Sequence, residues 1–197
     1  KVDKELNYGR EVVAEFISNL SSINDALDVG AGHGDDLLSV KKGFSQSRLY
    51  GVEFYDEYAK QLEDKGIKTY RINFEQEKLP AHDQQMDLII SNQMMEHCKE
   101  VFWSLHEMTR CLKVGGHLII GVPNLATLHN RLLLLLGKQP TSIQNNFAHI
   151  RGFTKNDLIN IVNVFEDGYE LVAFKGSNFY PFSSWLAKPL ALIFPSV

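Results

Sequence analysis

The sequence predicts an α/β fold in which a mostly parallel β-sheet is sandwiched between helices. Short apolar runs typical of buried strands alternate along the chain with segments whose apolar residues recur at helical spacing. The first run leads into a turn that holds Gly30, Gly32 and Gly34. Because glycine accepts positive φ and lets backbone N–H groups approach a ligand, we expect a nucleotide-like ligand at the carboxyl ends of the strands.

Five apolar runs are predicted strands. The fourth is apolar through its middle, as a strand buried on both faces should be. A glycine pair, Gly115 and Gly116, is expected to end the helix before the fifth strand. The predicted strands cover residues 26–29, 48–53, 67–72, 86–92 and 115–124.

The segments between the strands are predicted helices. The glycine turn opens a helix whose first residues are Asp35 and Asp36. Two other segments each carry one apolar helical face. Their apolar residues are Val12, Val13, Phe16, Ile17 and Leu20 in the first, and Val101, Leu105, Met108 and Leu112 in the second.

Length and composition predict one globular domain over residues 1–197. The chain is 44% hydrophobic with a net charge of −4 and has no basic stripe for duplex nucleic acid. Cys98 and Cys111 are its two cysteines, which favours a reducing compartment over a disulfide framework. The chain begins at Lys1 without a methionine or a secretory apolar segment, so we expect a cytoplasmic location.

Glycine spacing and nearby charge discriminate between cofactors. The turn has the spacing G-x-G-x-G, whereas the dinucleotide fingerprint is G-x-G-x-x-G. Asp35 and Asp36 would repel a pyrophosphate but suit a zwitterionic ligand such as S-adenosylmethionine (SAM). The sequence contains no P-loop motif. Two alternatives remain: an NAD site, or a turn that merely joins strand to helix. Glu53, about 20 residues beyond the turn, suits the ribose of either cofactor and does not discriminate between them.

The motifs in their order resemble the class I SAM-dependent methyltransferases, most closely the small bacterial enzymes of the ubiquinone and methionine-W type. The matching pieces are DVGAGHG, Glu53, NFEQEKLP, MDLIISN, MEH and LKVGGHLIIGVPN, and they lie within residues 26–124. The resemblance implies a Rossmann-like sandwich with a SAM-binding core at 26–123. It also implies a last antiparallel strand, which we expect beyond Val197.

The resemblance implies a set of cofactor-binding residues. The glycines would shape the methionine pocket, Glu53 would hold the ribose, and Phe54 would flank the adenine. Asn73 stands where the family commonly has Asp, and its amide oxygen can accept the same hydrogen bond. The full set is Asp28, Gly30, Ala31, Gly32, Gly34, Glu53, Phe54, Asn73, Phe74, Asn92 and Gln93.

Candidate acid and base groups follow the fourth strand and the fifth. They are Glu96, His97 and His149, with His129 as a further histidine. Related quinone and small-RNA 2′-O-methyltransferases carry an E-x-x-E-H metal site at this point of the chain, but Gln93 replaces its first carboxylate here. We therefore expect a structural Glu96–His97 pair and no metal, with His149 as a further ligand in the alternative. Cys98 is interpreted as a packed small residue rather than a nucleophile.

Residues 124–153 and 177–197 are the predicted substrate lobe. A helix over 124–137 carries the run Leu132–Leu136, which is either a core helix, a hydrophobic acceptor site or a membrane-facing patch. Thr154 with Asp157 is expected to cap a helix over 155–165. Residues 167–176 are predicted as a sixth strand, and 185–197 as an apolar hairpin excursion or short helix.

The favoured function is methyl transfer from SAM to a small molecule, with S-adenosylhomocysteine as product. The resemblance favours O-methylation of a quinone-, lipid- or glycan-type acceptor, with peripheral contact at the inner face of a membrane. A non-catalytic SAM-binding module is the alternative. The sequence leaves the acceptor and the oligomeric state open.

Overall fold

The computed structural model of the chain describes residues 8–144, 148–164 and 168–177. The chain divides into two compact units. The first, called the sheet unit, comprises Val13–Met94 and Glu100–Gly121. The other, called the second unit, comprises Lys1–Val12, Met95–Lys99 and Val122–Val197. The assignment of residues 1–197 to one domain stays a prediction.

Five parallel strands form the sheet, in the order β3-β2-β1-β4-β5. The chain thus winds outward from β1 in one direction and then returns to continue in the other. In such sheets the crevice at the point of reversal, beside the carboxyl ends of β1 and β4, is where ligands bind. The strands are β1 Asp25–Val29, β2 Arg48–Val52, β3 Lys68–Tyr70, β4 Met86–Asn92 and β5 Leu112–Gly121. The predicted mostly parallel sheet is confirmed.

Six helices accompany the strands in the described residues. Two three-residue 3₁₀ turns lie at Met95–His97 and Thr141–Ile143. The helices are α1 Arg10–Ser18, α2 Asp35–Gly43, α3 Asp56–Asp64, α4 Val101–Cys111, α5 Leu128–Leu135 and α6 Lys155–Val162.

Both faces of the sheet are buried. Ala26 of β1 and Leu88 and Ile90 of β4 belong to one apolar cluster with buried residues of α1, α2 and α3. Leu27 and Ile89 alternate with these residues and are also fully buried, so the opposite face is covered as well.

Asp87 ties the amino ends of three strands together. Its Oδ2 accepts hydrogen bonds from the N–H groups of Asn24 and Asp25, both at 2.9 Å, at the start of β1. Its Oδ1 accepts from Nζ of Lys113 in β5 at 2.5 Å. These contacts fix β1, β4 and β5 at the edge of the sheet opposite to the carboxyl ends.

The fifth strand begins earlier than the sequence predicted. It starts at Leu112, directly after α4, so Gly115 and Gly116 lie inside it and do not end the helix. A Cβ at Gly116 would lie 2.9 Å from the carbonyl oxygen of Lys113 and 3.1 Å from that of Asp87. The glycine is therefore required by the close approach of backbones where the β4–β5 register shifts.

The predicted sixth strand is wrong in the described residues. Residues 168–177 form no strand, and Leu171 and Val172 are exposed. A strand is stabilised by pairing with a neighbour, and the described parts of the chain contain no antiparallel strand with which residues 168–177 could pair. The predictions for 185–197 and for the last strand concern residues outside the described ones.

The predicted substrate lobe contains shorter helices than expected. The Oγ1 of Thr127 accepts from the N–H of Asn130 at 3.3 Å, so α5 begins at Leu128 rather than near residue 124. The Thr154–Asp157 capping box is confirmed at the start of α6, which ends at Val162.

Candidate functional site

The glycine turn after β1 is shaped by three left-handed residues. Gly30, Gly32 and Gly34 have φ values of 80°, 49° and 77°. A Cβ at Gly30 would lie 2.9 Å from Cγ of Met94, and one at Gly34 would lie 2.6 Å from a methyl of Leu62. At Gly32, in contrast, a Cβ would meet nothing within 4 Å. Positive φ and close side chains therefore both favour glycine at the two outer positions, whereas the space beside Gly32 is open.

Glu53 lies directly over this turn. It follows β2, whose last residue Val52 is paired with Val29 at the end of β1. Its Oε2 accepts from the N–H of Gly32 at 2.9 Å, and its Oε1 accepts from the N–H of Tyr55 at 2.9 Å. Each carboxylate oxygen can accept a second hydrogen bond. Glu53 is thus held in place with acceptor capacity for two hydroxyl groups, although its role toward ribose stays a prediction.

The predicted adenine-binding residues differ in exposure. The side chain of Phe54 is 65% exposed and stands edge-on to the ring of Tyr55. Phe74 is buried, at 4% exposure, so its ring packs within the protein. The Oδ1 of Asn73 accepts from the N–H of Glu75 at 3.2 Å and retains a second lone pair.

The end of β4 is linked to the first turn of α2. Nδ2 of Asn92 donates to Oδ2 of Asp36 at 3.0 Å. Gln93 follows with φ of 57°, an uncommon backbone conformation for a residue other than glycine. Its N–H donates to the carbonyl oxygen of Gly121 at 2.8 Å. The structure therefore brings the two predicted residues to the carboxyl edge of the sheet.

Two supporting residues at this edge could not be predicted from the sequence. Asp36, which was expected to act through its charge, also orients Asn92. A Cβ at Gly121 would collide with Oδ1 of Asn92, so this glycine makes room for that side chain. No local pattern reveals either contact, because both join residues far apart in the chain.

Buried carboxylates give this edge a negative character. Asp28, Asp36 and Glu53 are 4%, 6% and 7% exposed. A sulfonium or ammonium is stabilised by such neighbours, and a pyrophosphate is repelled. This electrostatic arrangement agrees with the discrimination against dinucleotides predicted from the sequence.

A second group of polar residues lies wholly in the second unit. Glu96, His97 and His149 each direct a potential ligand atom to one place, with all three atoms within 4.8 Å of one another. The imidazole rings of His97 and His149 have centroids 4.7 Å apart. We call these three residues the Glu-His-His cluster. His129, on α5, is not part of it.

Backbone contacts hold the cluster together. The carbonyl oxygen of Glu96 accepts from the N–H groups of Ile150 and Arg151 at 3.0 and 3.2 Å. The Nδ1 atoms of His97 and His149 lie 3.1 and 2.8 Å from the carbonyl oxygens of Ala148 and Ser142. The loop before α6 is therefore fixed against the 3₁₀ turn that carries Glu96. Arg151 also anchors this loop, since its Nη2 donates to the carbonyl oxygen of Lys99 at 3.2 Å.

The carboxylate of Glu96 is in an unusual environment. The residue is 1% exposed, and neither carboxylate oxygen has a hydrogen-bond partner among the other described residues. Burial raises the pKa of Glu96 to about 7. Cys98, next to the cluster in sequence, is 2% exposed, which agrees with a packed side chain.

The described residues contain no helix that is both long enough and apolar enough to span a bilayer.

Residues 27–120 match a protein family described as "Methyltransferase domain". A 37.1 kDa protein in transposon TN4556 of Streptomyces fradiae is 29% identical over 103 residues, which are 50% of this chain and 30% of that protein. The chain thus spans less than a third of the length of this relative.

Solved structures show the same fold. A Thermotoga maritima protein described as a possible histamine N-methyltransferase has a TM-score of 0.61 at 18% identity, covering 80% of this chain and 70% of its own. YcgJ of Bacillus subtilis has a TM-score of 0.59 at 18% identity, covering 78% and 65%. The sugar N-methyltransferase KedS8 of Streptoalloteichus has a TM-score of 0.51 at 20% identity, covering 61% and 50%. The chain thus resembles methyltransferases in sequence over residues 27–120 and shares the fold of solved methyltransferases, and a domain of this kind implies SAM as its cofactor.

Proposed function

We propose that this chain transfers a methyl group from SAM to a small-molecule acceptor and releases S-adenosylhomocysteine. The observation that carries the proposal is the pairing of Glu53 with the N–H of Gly32 beside open space, at the edge where the chain reverses direction in the sheet. A SAM site is supported because that edge offers a diol acceptor, an open backbone and buried negative charge. At an NAD site, Asp35 and Asp36 at the start of α2 would repel the pyrophosphate.

The mechanism asks mainly for positioning. When bound, SAM supplies a methyl group that its sulfonium already makes electrophilic. The chain's residues then have to hold the cofactor and align an acceptor with the carbon–sulfur bond while excluding water. Glu53 would fix the adenosine end, Gly32 would line the methionine pocket, and Asn92 and Gln93 would contact the methionine end. A proton is lost from the acceptor only when the acceptor carries one.

The Glu-His-His cluster is proposed to bind the acceptor. Glu96 follows Asn92 by four residues, and the family resemblance implies that this segment faces the acceptor. The three side chains offer a carboxylate and two imidazoles to a polar group. This supports an acceptor with a hydroxyl or amine group. The resemblance to quinone, lipid and glycan methyltransferases favours oxygen as the atom that receives the methyl group. The sugar N-methyltransferase among the structural neighbours supports a sugar-type acceptor with either atom.

Leucines at and directly after the end of α5 support peripheral contact with an anionic membrane on the cytoplasmic side. Leu132, Leu134, Leu135 and Leu136 are 51–81% exposed. They lie between Arg131 and Lys138, and residues 122–156 contain four basic residues and no Asp or Glu. Apolar side chains with basic neighbours are typical of surfaces that enter a lipid headgroup region. Co-sedimentation with phosphatidylglycerol vesicles but not with phosphatidylcholine vesicles is the expected result.

Methyl transfer is tested with SAM carrying a labelled methyl group. The protein is incubated with catechols, hydroxylated quinone precursors, sugars and a phospholipid extract, and S-adenosylhomocysteine formation is measured. We expect product formation that depends on one acceptor class and is lost in Gly32→Val. Tight binding of S-adenosylhomocysteine without turnover on any acceptor would instead support the non-catalytic binding module.

A further inference from the structure

The Glu-His-His cluster has the composition and arrangement of a metal-binding site. We propose that the second unit binds one divalent first-row transition-metal ion through a carboxylate oxygen of Glu96 and the Nε2 atoms of His97 and His149. All three side chains belong to this unit, and their ligand atoms lie within 4.8 Å of one another. The site is distinct from the glycine turn and Glu53, which belong to the sheet unit.

Glu96 provides the first argument. A buried carboxylate without hydrogen bonds or a counter-charge is costly, because the protein does not replace the water that the group has lost. Neither of its oxygens has a partner among the other described residues, although the side chain is almost completely buried. A bound cation would supply the missing interaction and satisfy at least one of these oxygens.

The histidines provide the second argument. A carbonyl oxygen can only accept a hydrogen bond, so Nδ1 of His97 donates to Ala148 and Nδ1 of His149 donates to Ser142. In a neutral imidazole this leaves the lone pair on Nε2. A hydrogen bond from the other ring nitrogen is the usual way in which proteins fix and orient a metal-binding histidine. Both histidines are therefore prepared in the tautomer that binds a metal through Nε2.

The distances require only a small closure. Two donors at about 2.1 Å from a tetrahedral ion are about 3.4 Å apart. Ligand atoms up to 4.8 Å apart must therefore approach by up to about 1.4 Å, which side-chain rotation can supply. The backbone is already tied, since Ile150 and Arg151 donate to the carbonyl oxygen of Glu96. His97 is exposed, which leaves a route for the ion and open coordination positions.

The donor set selects the class of ion. Two imidazole nitrogens and one carboxylate suit Zn²⁺, Fe²⁺, Co²⁺ or Mn²⁺ better than Mg²⁺ or Ca²⁺, which prefer oxygen ligands. The expectation of no metal rested on Gln93, where a carboxylate is missing. That loss weakens a site for a hard ion, but the three donors that the structure brings together do not include Gln93.

The open positions suggest a use for the ion. An oxygen of the acceptor could bind there, and the ion would lower the pKa of a hydroxyl at that position. This part of the inference rests on the proposed function, whereas metal binding itself does not.

Cobalt titration tests the site without any acceptor. Protein freed of metal by dialysis against a chelator is titrated with Co²⁺, with binding followed by visible absorption and calorimetry. We expect one Co²⁺ per chain and a loss of affinity of more than about 100-fold in Glu96→Gln and in His149→Ala, since loss of outer partners alone costs about 10- to 100-fold. His129→Ala, which removes a histidine outside the cluster, should bind as the wild type does.

Glu96→Gln preserves the size of the side chain, so it also guards against a loss of binding through unfolding, and circular dichroism checks both variants. The proposed metal site would be overturned if the wild type did not bind Co²⁺. It would also be overturned if Glu96→Gln and His149→Ala bound Co²⁺ as tightly as the wild type does. Calorimetry with S-adenosylhomocysteine separates a failure of the metal site from a failure of the proposed function. Cofactor binding without Co²⁺ binding refutes the metal site alone, and Co²⁺ binding without cofactor binding refutes the methyltransferase assignment alone.

Discussion

Glu53 connects the backbone of the glycine turn to the start of α3. Its two oxygens accept from Gly32 and Tyr55, so the same carboxylate that is proposed to bind the ribose also holds the turn in shape. A ligand at this position would meet an acceptor that is already oriented. Such preorganisation lowers the ordering cost of binding.

Glu53→Gln should weaken binding of S-adenosylhomocysteine by about 1–3 kcal/mol, because it replaces charge-assisted hydrogen bonds with neutral ones. Calorimetry measures the change. Glu57→Gln removes an exposed carboxylate in the first turn of α3 and serves as the control. Equal affinity in the Glu53 variant and this control would argue against a ribose contact.

Gly32→Val should abolish cofactor binding, because its branched side chain would fill the open space beside the turn. Gly66→Val is the matched control, since Gly66 also has positive φ, at 75°, and no atom within 4 Å of an added Cβ. Both variants carry the same kind of backbone strain, roughly 1–3 kcal/mol. Thermal unfolding should therefore show similar destabilisation, and calorimetry should show that only the Gly66 variant binds S-adenosylhomocysteine. Loss of binding in both would attribute the effect to strain.

The sequence predicts which individual residues belong to the site better than it predicts which residues they contact. The glycine turn and Glu53 could be found because they have a characteristic spacing along the chain. The contact of Asp36 with Asn92 joins residues 56 positions apart, and the approach of His149 to Glu96 depends on how a loop folds back. Such contacts depend on tertiary structure, so a local pattern does not reveal them.

Among the secondary-structure elements, α4 is anchored by a buried ion pair. The Oε2 of Glu107 accepts from Nη2 of Arg110 at 2.8 Å and from the N–H of Leu79 at 2.9 Å, while its Oε1 accepts from Nε of Arg110 at 2.9 Å. Arg110 also donates to the carbonyl oxygens of Leu79 and Ala81. The segment before β4 is thereby fixed to the helix that follows β4.

This pair should contribute a pH-dependent part of stability. The hydrogen bonds from Arg110 lower the pKa of Glu107 in the folded protein, in spite of burial. Its contribution is therefore complete above the ordinary glutamate pKa of about 4.3 and is lost as the pH falls through the lower folded value.

Glu107→Gln should reduce the free energy of unfolding at pH 7 by about 1–3 kcal/mol. The difference from the wild type should shrink in acid. Urea unfolding at pH 7 and at pH 3 measures both, with Glu57→Gln as the control. If the difference in the free energy of unfolding were the same at both pH values, the ion pair would not contribute to the pH dependence of stability.

The elements themselves were predicted unevenly. β4 was predicted with the bounds that the structure has, because its apolar run is bordered by polar residues on both sides. The start of β5 was misplaced because Gly115 and Gly116 are typical of a helix end. In the structure they lie within β5, where its register with β4 shifts. The prediction of a sixth strand over residues 167–176 failed because alternating apolar residues form a strand only where a neighbouring strand is available for pairing.

At the scale of the whole molecule, the strand order β3-β2-β1-β4-β5 links the fold to the function. The reversal at β1 places the ends of β1, β2 and β4 at one edge, so the glycine turn, Glu53 and Asn92 meet there. The alternation of strands and helices was sufficient to predict a mostly parallel sheet with a ligand at the carboxyl ends of its strands, but not the order of the strands. The acceptor could not be predicted, because its recognition depends on segments with no characteristic motif.

Whether the glycine turn binds SAM or a dinucleotide is decided by calorimetric titration with S-adenosylhomocysteine and, in parallel, with NADH. We expect one S-adenosylhomocysteine to bind per chain and NADH not to bind, since buried carboxylates and the acidic start of α2 oppose a pyrophosphate at the glycine turn. Binding of NADH without binding of S-adenosylhomocysteine would contradict this expectation.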